Sequence, residues 1–439
     1  MLKVLANRTY RHLFLAQVIA LVGTGLATVA LGLLAYEIAG ANAGAVLGTA
    51  LAIKMIAYVA IAPIAGALAD VLPRKGMLVT LDLVRAGVAL ALPFVTQVWQ
   101  IYLLIFLLQS ASAAFTPTFQ ATIPDVLPDE AQYTRALSLS RLAYDLENLL
   151  SPSLAALLLL IVSYNSLFFG TVAGFVASAL LVVSVMLPKP KKGARRSFFE
   201  RTTRGLRAYL ATPRLRGLLA ISLAVAAAGS MVIVNTVVLV QGELGLGQRQ
   251  TAWALAAFGG GSMIAALFLP RLLDWAPDRP VMLTAAAALP VALVVLAFVP
   301  GYGALLALWL ATGIAYGAAQ TPSGRLLRRS SNEEGRPSLF AAHFAASHAC
   351  WLLCYPLAGW LGARIGLDTT ALILAAISLT GFTVAVIVWP RNDTDEVDHD
   401  HADLAHDDPH WAEGHHRLGR RHRHAFVIDD LHTAWPHSR

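Results

Sequence analysis

The stretch Leu13–Ala35 reads LFLAQVIALVGTGLATVALGLLA, 23 residues with no Asp, Glu, Lys, Arg or His among them. At about 1.5 Å of rise per residue, a helix of that length crosses a hydrocarbon core of roughly 30 Å. In lipid every backbone N–H and C=O must be bonded within the protein, which a single helix achieves by itself. Lys3, Arg8 and Arg11 precede the run. That short basic start is like a signal peptide's, but the run is too long and many others follow, so it reads as an uncleaved first span.

Counting this first run (12–36), apolar runs recur near 44–69, 77–95, 99–123, 136–162, 166–187, 217–240, 250–273, 281–299, 303–325, 338–363 and 370–389. The composition agrees: 57% of the 439 residues are hydrophobic and 13% charged, about half the charged share of a soluble globular chain. Too little polar surface exists to cover a water-facing exterior. The expectation is an all-α membrane protein of twelve transmembrane helices. Cys350 and Cys354 lie in one run, four residues apart, a helical spacing that does not suit a disulfide.

An even number of spans places both termini on one side. Alternate loops hold the basic residues: Arg74 and Lys75, Lys189 through Arg216, Arg271 and Arg279, then Arg325, Arg328, Arg329 and Arg336. The intervening loops are short and nearly bare, apart from Arg249 and Arg364. By the positive-inside rule both termini are cytoplasmic, in a multi-pass protein of the cell inner membrane. The connector between the halves mixes Lys189, Lys191, Lys192, Arg195, Arg196, Arg201, Arg204 and Arg207 with Phe198, Phe199, Leu206 and Tyr209. It reads as an amphipathic segment on an anionic leaflet. Topology accounts for its charge, so no nucleic-acid partner is expected.

The second half repeats the first. Asp70 to Leu78 (DVLPRKGML) is echoed by Asp274, Pro277, Arg279, Met282 and Leu283; Thr116-Pro117 by Thr321-Pro322; Pro152 by Pro356. The offsets are all about 204 residues. Parallel repeats of six spans are the layout in which a transporter's site lies between the halves near the midplane. The expected organisation is a six-helix bundle over 1–187, the basic connector over 188–215, a second six-helix bundle over 216–391 and a tail over 392–439.

Gly66-Ala-Leu-Ala-Asp70-Val-Leu-Pro-Arg74-Lys75 resembles the signature between helices 2 and 3 of the major facilitator superfamily. Gly66, Asp70, Arg74 and Lys75 match it; Val71 replaces a basic residue and Pro73 a glycine. The resemblance extends over about residues 8–390 and implies two six-helix bundles working by alternating access, with this loop as a gating element. A carboxylate beside two cations at a helix end can form a latch that exists in one rocking state and breaks in the other. On the plainer reading Arg74 and Lys75 only set topology.

After Pro390 the composition changes. Ten of the thirteen histidines fall in the last stretch, including His399, His401, His406, His410, His415, His416, His422 and His424, with His432 and His437 beyond. Asp398, Asp400, Asp403, Asp407 and Asp408 are interleaved with them. Imidazoles suit zinc, copper, nickel and iron, so the tail reads as metal-binding; the alternative is a solvated segment with incidental charge. A histidine-rich cytoplasmic tail on such a transporter resembles the nickel-resistance exporters of the superfamily. That resemblance implies proton-driven export of nickel or cobalt, with no resident cofactor required.

Ionisable groups inside spans mark a pathway or a pair. Lys54 lies mid-helix in the second span. Asp82 and Arg85 are three apart and can pair. Arg141, Asp145, Asn148 and Pro152 share one face of the fifth span, with Glu147 off it. Asp145, then Asp82 and Glu147, are the candidates for proton coupling; structural pairs of Asp145 with Arg141 and of Asp82 with Arg85 are the alternative. In the eleventh span His343, Ser347, Cys350 and Cys354 form a stripe able to pass a metal ion, with His348 about 140° away from His343. No nucleophile triad, phosphate-binding glycine loop or HExxH element is present, so no enzymatic activity is expected. The remaining expectations are a lipid bilayer around the chain, protons and a divalent cation or an organic compound as cargo, and a monomer.

Overall fold

The computed structural model describes residues 2–69, 72–129, 157–187, 198–273, 275–298, 301–332, 336–400, 415–416, 421–428, 431–432 and 434–436, with residues 132, 136, 139, 140, 143, 154 and 155. Five long helices are described in the first half: α1 (Arg8–Ala39), α2 (Ala43–Ala69), α3 (Arg74–Ala91), α4 (Val98–Val126) and α5 (Tyr164–Val183). The connector contributes α6 (Phe198–Ala211). The second half comprises α7 (Pro213–Val237), α8 (Gln248–Leu272), α9 (Asp278–Leu296), α10 (Tyr302–Gln320), the short α11 (Ser323–Arg329), α12 (Arg336–Ile365) and α13 (Leu367–Val388). Helix starts follow ordinary capping chemistry. The Asn7 side chain accepts a hydrogen bond from the Tyr10 amide at 3.0 Å, and Pro73 and Pro277 stand in extended backbone before α3 and α9.

Among the described residues nine stretches are long and apolar enough to cross a membrane; the first, Arg8–Ile61, carries two successive helices. The α12 helix is not among the nine: His343, Ser347 and His348 interrupt its apolar sequence. Most of the expected span at 136–162 lies outside the described residues. The outer faces confirm lipid as the solvent. Leu180 is 64% exposed and Ile387 74%, and on a helical bundle such side chains need hydrocarbon to cover them.

The two halves use the same packing pairs. In the first, α1 lies on α5, α2 on α4, and α3 on both α4 and α5. In the second, α7 lies on α13, α8 on α10, and α9 on both α10 and α13. The halves meet chiefly where α2 crosses α12. Gly48 faces the Tyr355 carbonyl, and Gly359 faces the Gly44 carbonyl, so closely that a Cβ at either glycine would collide with backbone. The Trp360 indole donates to Thr49 Oγ at 2.9 Å across the same seam.

The all-α expectation requires one correction. The tail contains a three-stranded sheet, β1 (Glu396–Asp400), β2 (His415–His416) and β3 (Arg421–Ala425), in the order β1-β3-β2 with antiparallel pairing. The register sets Asp398 opposite Arg423 and Asp400 opposite Arg421. Acids at every second position of one strand, with Val397 and His399 between them, and arginines alternating with histidines in the other, supply opposite charges across the ladder.

Candidate functional site

A cavity of about 120 Å³ lies between the halves. Its first-half wall comes from α1 and α2, including Thr28, Leu51 and Lys54; its second-half wall comes from α7, α8, α10 and α12. Aromatic side chains build that second wall. The Phe258 and Tyr316 rings meet edge to face at 5.1 Å, and Trp351, behind the wall, meets Tyr316 at 6.4 Å and Tyr355 at 4.9 Å. Thr236, whose hydroxyl accepts from the Trp309 indole at 2.9 Å, and Thr251, bonded to Gln241 at 3.0 Å, add hydroxyls. Lys54 lies 5.9 Å from the Tyr58 ring and is the one formally charged lining residue among those described. The wall offers aromatic faces and hydroxyls; among the described lining residues it offers no carboxylate. A wider apolar groove, beside Leu72, Met77 and Leu81, lies along the start of α3 alone and gathers no converging polar groups.

At the end of the molecule that carries the N-terminus, each half closes an ion pair. Arg74, first residue of α3, pairs with Asp125 near the end of α4. Asp278, first residue of α9, pairs with Arg329 at the end of α11 at 2.8 Å, with Arg325 at 3.4 Å. The positions correspond under the repeat, 74 to 278 and 125 to 329, but the charges are exchanged. A search for identical residues passes over such a pair; a search for opposite charges at the repeat offset finds it. The next residue keeps its role. Lys75 Nζ donates to the Val183 and Val185 carbonyls at 2.7 and 2.8 Å, and Arg279 donates to the Trp389 and Val386 carbonyls at 3.0 and 3.3 Å.

Of the signature, Gly66 lies in α2 and Asp70 falls outside the described residues. Asp82 is fully buried, paired with Arg85 and accepting from Ser178 Oγ at 2.7 Å. Arg85 in turn lies over the Phe115 and Phe175 rings at 4.3 and 4.5 Å. Arg141, Asp145, Glu147 and Asn148 lie outside the described residues. Along α12, His343, His348 and Cys350 each have a partner within the protein. His343 Nδ1 meets the Tyr209 hydroxyl of the connector helix at 3.0 Å, and burial pushes that phenol well above its ordinary pKa. His348 stacks on Phe344 at 3.8 Å, Cys350 Sγ donates to the Ala346 carbonyl at 3.6 Å, and Cys354 is fully buried.

The tail docks on the second ion pair. Asp395 bonds Arg214 at 2.9 Å and Arg329 at 2.8 Å, and Asp393 lies 3.3 Å from Arg214. The Arg214 side chain is 1% exposed and lies 5.3 Å from the Trp435 ring. Burial raises the Asp395 pKa, but the hydrogen bonds and charges of the two arginines outweigh it and hold the carboxyl below its ordinary value. Within the tail His399, His424 and His432 converge, their ring nitrogens all within 4.8 Å of one another. Of the other histidines, His415, His416 and His422 stand on β2 and β3, while His401, His406 and His410 fall outside the described residues.

The family model described as Major Facilitator Superfamily matches residues 13–239 and 218–426. Macrolide efflux protein A of Enterococcus faecalis is 28% identical over 153 residues, 33% of this chain and 47% of that protein. The match thus spans about half the length of that relative. Multidrug efflux pump Tap of Mycolicibacterium fortuitum is 25% identical over 343 residues, 75% of this chain and 83% of that protein. Among solved structures, the nucleoside transporter NupG superimposes with a TM-score of 0.65 at 15% identity, covering 87% of this chain and 98% of that one. A bacterial homologue of the human lysosomal transporter Spinster, inward-facing and occupied, gives 0.67 at 11% identity, covering 86% and 96%.

Proposed function

This chain belongs to the major facilitator superfamily, and we propose that it is a proton-coupled exporter of organic compounds working by alternating access. The observation that carries the reading is the cavity between the halves, with its aromatic wall of Phe258, Tyr316 and Tyr355 and the hydroxyls of Thr28, Thr236 and Thr251. Aromatic faces and scattered hydroxyls hold amphiphilic molecules without demanding one shape. A small divalent cation needs several nitrogen or oxygen ligands at once, and here a lysine faces the same space. The efflux pumps among its relatives support the same class of cargo. Export of nickel or cobalt, expected from the tail, therefore ranks second.

At about 120 Å³ the cavity is smaller than the roughly 300–1,000 Å³ of drug-sized sites, so cargo enters when the halves part further. Asp145 is the carboxylate proposed to carry the coupling proton, since Asp82 is already held by Arg85 and Ser178. The test uses inverted vesicles with an imposed proton gradient, a panel of lipophilic fluorescent dyes and radioactive nickel. Dye accumulation that a protonophore abolishes, and that Asp145→Asn abolishes, is the expected result. Nickel accumulation without uptake of any dye overturns the reading.

A further inference from the structure

We propose that His399, His424 and His432 form a binding site for one late first-row divalent ion such as zinc, cobalt or nickel, and that the bound ion fastens the tail onto the Arg214–Arg329 end of the second half. Here the metal is a ligand of the tail and not the cargo, so the site stands whatever the cavity carries.

The donor geometry is the first support. His399 Nε2 and His432 Nε2 are 3.1 Å apart, and two ligands at about 2.0–2.1 Å from a tetrahedral ion are separated by roughly 3.3 Å. His424 brings the third imidazole within 4.8 Å of both. Tautomers are the second. His399 Nδ1 lies 3.0 Å from the Val397 carbonyl and His424 Nδ1 2.8 Å from the Ala425 carbonyl. A carbonyl oxygen only accepts, so each Nδ1 carries the hydrogen and each ring's lone pair sits on Nε2; that of His399 accepts from His432 Nε2–H, a hydrogen bond that an ion taking both nitrogens replaces. Metal-ligating histidines have this outer arrangement, one ring nitrogen anchored on a carbonyl and the other on the ion. The rings are also fixed: His399 lies edge-on to Phe426 at 4.8 Å, and His432 to the same ring at 4.6 Å. A ring that is held in place loses little rotamer freedom on binding.

Connection to the transporter body is the third. The Phe426 amide, two residues from His424, donates to the backbone carbonyl of Asp395 at 2.9 Å, the residue whose carboxylate Arg214 and Arg329 share. Phe426 also packs on Trp435 at 5.0 Å, the ring that faces Arg214. An ion joining 399, 424 and 432 therefore stiffens the two segments that touch the second half. The donor set is all nitrogen, which favours zinc, cobalt, nickel or copper over magnesium or calcium.

The experiment uses the full chain, purified in detergent and stripped of metal. Cobalt is titrated by its visible ligand-field absorption, and zinc by competition against it. The expected result is one tight equivalent, weakened more than tenfold by His399→Ala, His424→Ala or His432→Ala. A cluster-only variant, with His401, His406, His410, His415, His416, His422 and His437 all changed to Ala, retains that equivalent. Metal raises the unfolding midpoint of the wild type; in Asp393→Asn/Asp395→Asn it binds as tightly but raises the midpoint less. Loss of binding in the cluster-only variant, or undiminished binding in the three single variants, overturns the site. An equal rise in midpoint in the Asp393→Asn/Asp395→Asn variant overturns the fastening.

Discussion

The Arg74–Asp125 pair of the first half and the Asp278–Arg329 pair of the second occupy corresponding places in two copies of one bundle, with charges exchanged. An ion pair has the same geometry whichever side supplies the cation, so the repeat preserves the site of attraction without preserving the residues. The surroundings differ more than the pairs do. Asp125 is 17% exposed, whereas Asp278 is 1% exposed. Arg329 also answers the tail carboxylates Asp393 and Asp395, so the second pair is one edge of a network that ties the C-terminal segment to the body.

The largest expected effect follows from that asymmetry. Arg329→Ala removes one of the two arginines that Asp278 meets and a partner of Asp395, and should cost about 3–5 kcal/mol, as breaking a buried pair does. Arg74→Ala leaves Asp125 with access to water and should cost about 1–3 kcal/mol. Thermal unfolding of the two variants in detergent checks the order; equal losses would show that the tail contributes nothing to the second pair.

Exchanging the charges should separate the halves next. Arg74→Asp/Asp125→Arg rebuilds an attraction in place, and the double variant should recover to within about 1 kcal/mol of wild type. Asp278→Arg/Arg329→Asp should not recover, because its new carboxylate faces Asp393 and Asp395 while its new arginine faces Arg325. Removing residues 393–439 should then shrink this difference, since the opposing carboxylates leave with the tail. Recovery of both double variants in the full-length chain would mean that the tail does not engage Arg329. Because the Asp395 carboxyl is held below its ordinary pKa, its contribution is complete above that ordinary value and is lost only as pH falls through the lowered one. This contrast should therefore not change across the neutral range.

How much of this was legible in the sequence follows the same division. The superfamily and the long apolar helices were readable because lipid demands such helices and because Pro73/Pro277 and Lys75/Arg279 keep their chemistry at a fixed offset. The exchanged pair was hidden, since similarity compares residue types and here the types are opposite. The tail sheet was hidden by its charges: in Glu396–Asp400 acids alternate with Val397 and His399, in Arg421–Ala425 arginines alternate with histidines, and no apolar stripe marks a strand. The aromatic wall was hidden because Phe258, Tyr316 and Tyr355 come from three helices that only packing brings together. In contrast, the Asp82–Arg85 pair was visible as a spacing of three on one helix.

The smallest expected effect concerns the neighbouring residue, where the halves agree. Lys75 and Arg279 donate to carbonyls at the ends of α5 and α13, with Val185 and Trp389 in corresponding positions. A helix C-terminus presents only acceptors and the negative end of its dipole, so a cation is the one sign of charge that satisfies it. The repeat had freedom to exchange signs at 74 and 278, where both partners are side chains, and none at 75 and 279, where one partner is backbone. Lys75→Ala and Arg279→Ala should therefore cost the same in both halves, about 0.3–1 kcal/mol each, with Lys75→Arg and Arg279→Lys close to neutral. Lys75→Glu and Arg279→Glu should each cost more than the alanine variant, because a carboxylate repels the carbonyls it would have to face. Unfolding midpoints for the six variants test the rule, and a glutamate tolerated at either position would refute it.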